Sequence, residues 1–325
     1  MLRGLGLAIA ALILTAAAPP WEWGSPVGLR PPRVPADNPM SVAKVELGRR
    51  LFYDADLLID GTMACATCHE QHRAFADGNA THAGVHGDPG RRNVPGLANV
   101  AWLRSLTWGD SRITSLETQA AVPVIGKTPI EMGMAGEEAE IARRQSRDSC
   151  YPAMFTRAFP GSDTIDFAHV AKALAAFERT LVSFDTPYDA YARGDLSAMS
   201  AEAVAGSKLF DSDCRSCHSG PLLTDQKFHR MGSTPGSDAG LGEITRRTKD
   251  IGRFRSPSLR NVELTGPYFH DGSAKTIADA IRLHPHTANL YDAQVAQITA
   301  FLKSLTDRRF VTNTRYSLPE LACGK

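Results

Sequence analysis

Apolar residues along the chain fall into short helical stripes separated by polar, Gly- and Pro-rich stretches. Val42, Val45, Leu47 and the pair Leu51 and Phe52 follow the three-to-four spacing of one helix face, with Ser41 placed to cap its start. Ser200 precedes a second stripe through Val204, Gly206, Leu209 and Phe210. A third stripe, from Asp166 to Val182, carries Phe167, Val170, Leu174, Phe177 and Leu181, and its Glu178 and Arg179 read as a solvated or interdomain face. Asp292 opens the last stripe, with Val295, Ile298, Phe301, Leu302 and Leu305 forming a terminal packing helix. No stretch alternates apolar and polar residues for a useful length, so the fold is expected to be mainly α. Pro19 to Asn38 reads as an extended leader, and Asp185 to Ser200, with Pro187, Gly194 and two tyrosines, as a linker.

Two of the stripes share a local string, Gly48-Arg49-Arg50-Leu51-Phe52 and Gly206-Ser207-Lys208-Leu209-Phe210, so a helical unit is used twice. Each is followed by Cys-x-x-Cys-His: Cys65, Cys68 and His69, then Cys214, Cys217 and His218. Two thiols three residues apart can form thioethers to the vinyl groups of one haem, and the adjacent imidazole then ligates the iron. A thioredoxin-like redox pair leaves the following histidine unexplained, and zinc requires four ligands in one place. Two covalently bound haem c groups are therefore expected, one in each of two cytochrome c-like domains. His72, His82 and His86 after the first motif, and His229, His270, His284 and His286 after the second, are candidate ligands for the far side of each iron.

Arg3, the apolar run Leu5 to Leu14 and the small residues Thr15 to Ala18 have the form of a cleaved signal peptide. The run is too short to cross a ~30 Å hydrocarbon core at ~1.5 Å per residue, and no later run is long enough. The expected organisation is a signal peptide at 1–18, a leader at 19–40, one cytochrome c-like domain at 41–190 and a second at 191–325. The expected location is the periplasm. In that oxidising compartment the two cysteines left over, Cys150 and Cys323, are expected to pair and tie the tail to the first half. A formal charge of +1 over 325 residues gives no sign of nucleic-acid binding or of a polybasic membrane contact.

The strings Arg91-Arg92-Asn93-Val94-Pro95, Leu106-Thr107-Trp108, Ser115-Leu116-Glu117-Thr118-Gln119 and Pro129-Ile130-Glu131-Met132 resemble the bacterial di-haem cytochrome c peroxidase family. That family includes the MauG-type maturation enzyme of methylamine dehydrogenase. Phe254-Arg255-Ser256-Pro257 and Gly266-Pro267-Tyr268-Phe269-His270 extend the resemblance into the second half. The strings around Trp108, Gly126 and Gly136 look most like the branch associated with methanobactin operons.

Carried over by position, the resemblance implies that the haem on His69 meets hydrogen peroxide, with Glu131 as distal acid/base and Gln119 beside it. Trp108 matches the aromatic relay between haems. Asn93, with the carbonyls of Thr265 and Pro267, matches an interdomain Ca²⁺ site. His86 falls within a residue of the histidine that caps the first haem in resting peroxidases. His284 stands where the second haem's sixth ligand, Met or Tyr in relatives, is expected, with His286 or Met231 as substitutes. The implied function is a peroxidase reducing H2O2 at the N-terminal haem with electrons relayed from the C-terminal haem, its donor a small cytochrome c or cupredoxin. The alternatives are a peroxide-dependent oxidase that modifies a tryptophan of a secreted copper-binding partner, and a non-catalytic carrier. A homodimer, common among the peroxidases, stays open.

Overall fold

The computed structural model describes residues 21–26, 28–162, 164–231 and 237–319. Its helices are α1 (Val42–Phe52), α2 (Cys65–Cys68), α3 (Leu116–Ile125), α4 (Glu138–Arg147), α5 (Cys150–Ala158), α6 (Phe167–Glu178), α7 (Pro187–Ala192), α8 (Ala201–Asp213), α9 (Gly242–Thr245), α10 (Ile277–Leu283), α11 (Asp292–Lys303) and α12 (Arg308–Thr312). Strands β1 (Phe228–Arg230) and β2 (Arg253–Arg255) pair antiparallel, Phe228 opposite Arg255. The fold is mainly helical, as the periodicity predicts. The predicted caps Ser41 and Ser200 are in use, accepting from the amides of Lys44 and Ala203, and Asp166 likewise caps its helix by accepting from the His169 amide.

Each repeat is built on the same helix crossing. Gly48 of α1 lies so close to α6 that a Cβ there would stand 1.9 Å from the Ala173 carbonyl oxygen, and Gly206 of α8 meets the Gln297 carbonyl of α11 at the same 1.9 Å. Only glycine permits such backbone contact. Leu47, Leu51, Phe52, Val170, Leu174 and Phe177 fill the first core; Phe210, Ile298, Phe301, Leu302 and Leu305 belong to the second. The repeat runs further than the helical strings. Asn99 and Asn261 are both buried in the left-handed region (φ 58° and 62°), and their amides donate to the carbonyls of Leu181 at 2.7 Å and Leu305 at 2.9 Å.

Several expectations are corrected. The helix begun at Asp166 ends at Glu178 rather than Val182, and Glu178 and Arg179 are buried, 7% and 3% exposed, not solvated. Arg179 is held inside by Glu117 at 2.8 Å, and Asn38 of the leader donates to Glu117 at 2.7 Å. The linker contains α7, started by a capping box between Thr186 and Asp189. Asp189 accepts both guanidinium nitrogens of Arg260, at 2.8 and 2.9 Å, and the Arg260 side chain is only 2% exposed. This segment is therefore a clamp.

Beyond α11 the chain returns to the first core: Phe310 packs on Phe75 with ring centroids 5.6 Å apart, and the Tyr53 hydroxyl donates to the Tyr316 carbonyl at 2.7 Å. Cys150 is disulfide-bonded. Cys323 and the segment 1–18 lie outside the described residues. The described residues of the leader from Trp21 on form no helix or strand; Trp23 stands edge-on to Trp102 at 6.1 Å, and the Trp102 indole donates to the Arg30 carbonyl. Among the described residues no helix is long and apolar enough to cross a membrane.

Candidate functional site: two Cys-Cys-His sites and the wall between them

At the first site, α2 puts Cys65 and Cys68 on one turn and ends at His69. His69 Nδ1 donates to the Phe75 carbonyl at 2.6 Å, which orients the ring and leaves Nε2 free for a metal. Burial lowers the imidazole's affinity for a proton and raises both thiols, Cys68 to about 12, so the group is neutral at pH 7.

Glu131 reaches this site because the segment after α3 folds back on it: the amides of Met132 and Met134 donate to the carbonyls of Pro123 at 2.9 Å and Val124 at 3.0 Å. Val85 then donates to the Glu131 carbonyl at 2.8 Å. Burial raises the Glu131 carboxyl above its usual range, with His82 partly opposing. Gln119 is half-buried on α3, one turn before Pro123. His86 is exposed; its charge adds to the Thr62 hydrogen bond that holds Asp60 down. His82 lies deeper, its Nδ1 donating to buried Asp77 at 2.8 Å.

At the second site a cavity of about 650 Å³ is lined by Cys214, Cys217, His218, His284, Arg255 and Trp108, among others. Its cysteines follow directly from the end of α8. The rings of His218 and His284 have centroids 6.5 Å apart. Two imidazoles on opposite sides of one metal stand roughly 6 Å apart, given nitrogen–metal distances of about 2 Å, so the spacing suits one shared ion. Each has Nδ1 occupied by a backbone carbonyl, Leu223 at 3.3 Å for His218 and Ala280 at 2.7 Å for His284. Burial, with His284 adding, pushes His218 down to about 4, and burial likewise lowers His284. His286 is exposed, so His284 is the better placed of the two.

Arg255 shows what else the cavity accepts. It is 3% exposed, has no carboxylate partner among the described residues, and its Nη1 is buried with no hydrogen bond. Burial pulls it down to about 10. A buried unpaired cation on a cavity wall calls for an anion, and a haem propionate meets that need. The residues thus fit a haem here.

Trp108, on the wall of the second cavity, is 8% exposed, its indole donating to the Asn93 carbonyl at 2.7 Å. Its carbonyl accepts from the Arg255 amide at 2.9 Å, joining the halves. Asn93, Thr265 and Pro267 line the same cavity, and the Asn93 amide donates to the Asn79 carbonyl, which leaves Oδ1 as an acceptor. Among the described residues no group of three His, Cys, Asp or Glu side chains could hold a metal, so a cation near Asn93 depends on carbonyls and water. Sequence reasoning passed over Arg255 and Asp77; each stood within a recognised or adjoining string, and neither carries a signal of burial.

Two helical units, each with a Cys-x-x-Cys-His motif, define a di-haem cytochrome c-type oxidoreductase. The chain belongs to the di-haem cytochrome c peroxidase family: residues 42–197 match the family described as di-haem cytochrome c peroxidase, and 203–306 match cytochrome c. It is 35% identical over 297 residues to the methylamine utilization protein MauG of Methylophilus methylotrophus, covering 85% of this chain and 87% of that one. It is 36% identical over 319 residues to the cytochrome-c peroxidase IdrP1 of Denitromonas iodatirespirans, covering 86% and 83%. Its fold matches that of a MauG-like protein associated with microbial copper homeostasis, with a TM-score of 0.87 at 36% identity, over 92% of this chain and 99% of the other. Family membership implies two c-type haems and peroxide chemistry.

Proposed function

We propose that the protein is a periplasmic peroxidase that reduces H2O2 to water at its first site, with electrons supplied through its second. Cys65, Cys68 and His69 would hold one haem, and Cys214, Cys217, His218 and His284 the other. The first group supplies the iron at which peroxide is reduced, and the second stores charge. The observation that carries this reading is the contrast in the side chains beside the two motifs: a largely buried carboxyl, Glu131, whose charge acts on Cys68 at the first, and an imidazole, His284, with its ring 6.5 Å from that of His218 at the second.

Glu131 takes the proton from the incoming peroxide oxygen and returns it to the departing oxygen as water leaves. Its raised proton affinity suits both halves of that exchange. Gln119 orients the peroxide beside it. The Trp108 indole, buried and tied to Asn93, supports relay of charge between the halves. Asn93 Oδ1 and the carbonyls of Thr265 and Pro267 would hold Ca²⁺ with several waters. The N-terminal apolar run supports export.

A second reading is favoured by the His218 and His284 pair: two imidazoles stabilise oxidised iron better than a thioether does. On that reading the protein withdraws electrons from a secreted copper-binding partner and oxidises one of its aromatic side chains. A steady-state assay with reduced cytochrome c and H2O2 decides. Sustained turnover, two cytochromes oxidised per peroxide, supports the first reading. Negligible turnover with a long-lived oxidised protein supports the second.

A further inference from the structure

The proton that Glu131 passes between the two peroxide oxygens never leaves the site, but completing the two-electron reduction of one H2O2 to two waters draws two more protons from solvent, and the carboxyl beside the site is largely buried. A buried carboxyl that has given up a proton must be recharged from solvent. His82 stands where that can happen: its side chain is 22% exposed, while the Asp77 carboxylate that holds its Nδ1 at 2.8 Å is 1% exposed. Asp77 is itself fixed by the Asn79 amide at 3.1 Å and side chain at 3.2 Å.

The loop carrying His82 is locked onto the Glu131 segment. Val85 donates to the Glu131 carbonyl at 2.8 Å. A Cβ on Gly84 would stand 1.9 Å from the Ile130 carbonyl oxygen, and one on Gly90 would stand 2.0 Å from the His82 carbonyl oxygen. Such close backbone contacts leave the loop no freedom to drift from Glu131. The charged and titratable groups acting on this cluster are Asp77, His82, Glu131, His69, Cys68 and Glu70.

We propose that Asp77 and His82 form a relay that positions Glu131 and passes it protons from solvent; this rests on the reading of Glu131 as the acid/base of the first site. Asp77 holds the Nδ1 hydrogen and stabilises the imidazolium formed when His82 Nε2 takes a proton from water, as a carboxylate orients the histidine of a catalytic triad. Nε2 then gives that proton to the Glu131 carboxylate. Two passages match the two protons per peroxide, and the electrons come from the donor.

The test is the single-turnover reaction of reduced, haem-loaded protein, carrying the two electrons that peroxide takes up, with H2O2 in H82Q, D77N, E131Q and the double variant H82Q/E131Q. In H82Q the rate falls on the order of 10²-fold, the lower end of what one proton-transfer group supplies, and the pH profile loses one ionisation. The solvent deuterium effect rises in H82Q, and the double variant is no slower than E131Q, since both residues serve one transfer. D77N keeps the imidazole but removes the carboxylate that steadies its charge, so the same ionisation moves to lower pH with a smaller loss of rate, and this variant carries the test if H82Q does not load haem. A wild-type rate and profile in H82Q, an additive loss in the double variant, or disappearance of a low-spin iron signal in H82Q, marking His82 as an iron ligand, overturns the relay. If E131Q itself reacts like the wild type, the reading of Glu131 falls instead.

Discussion

The two Cys-x-x-Cys-His sites share a motif, a glycine-mediated helix crossing and a left-handed asparagine, yet differ in the titratable side chains gathered beside them. At the first, α3 and the chain folding back on it bring a carboxyl, flanked by the Asp77 and His82 pair. At the second, α10 ends at His284, whose ring stands 6.5 Å from that of His218. Attachment chemistry is duplicated; the opposing side chain is not. The proposed division of labour therefore rests on the long-range contacts rather than on the motif.

The largest test of that contrast is at Glu131. Glu131→Gln keeps shape and removes the exchangeable carboxyl proton, so the peroxide reaction is expected to slow by about 10²–10⁴-fold with both haems retained, read by stopped-flow absorbance. His284→Ala should make the second site resemble an open one. Its low-spin electron paramagnetic resonance signal is expected to disappear while the first site's spectrum is unchanged, and a surviving signal would point to His286 or Met231. Trp108→Phe keeps the buried ring but deletes the indole bond to Asn93. It should slow electron delivery from the second site to the first under turnover and leave the first encounter with peroxide at wild-type rate.

The smallest effect concerns the packing beneath the first site. Glu178 is pushed up to about 8 by burial, with Arg179 partly opposing, against an ordinary value of 4.5. The folded chain then holds one more proton than the unfolded chain between about pH 4.5 and 8. This contribution to stability is full below pH 4.5 and is lost as pH rises through 8. Glu178→Gln should flatten that dependence and raise the melting temperature at pH 8 by a few degrees, consistent with about 1 kcal/mol in a chain of this size. An unchanged thermal profile across pH 5 to 8 would show that Glu178 keeps its charge by pairing with Arg179.

The helices at Ser41, Asp166, Ser200 and Asp292 were legible because a cap and an apolar stripe are local properties. The haem motifs were legible because thioether spacing is too. Glu178 and Arg179 were misread, since nothing within α6 indicates that Glu117 and Asn38 close over them. The linker was misread in the same way: Asp189 becomes a clamp only when Arg260, distant in sequence, arrives buried beside it.

The sequence alone determined that two helical units each carry a site for covalent haem, because neighbouring residues meet whatever the rest of the chain does. Only the tertiary structure decided that Glu131 and His82 come close enough to feel each other's charge beside one motif, while the ring of His284 stands 6.5 Å from that of the histidine of the other. It also decided that the Arg255 Nη1 is left without a hydrogen-bond partner on a cavity wall. Burial, pairing and proton affinity depend on which distant segments exclude water around a group, and that information appears only once the chain has closed on itself.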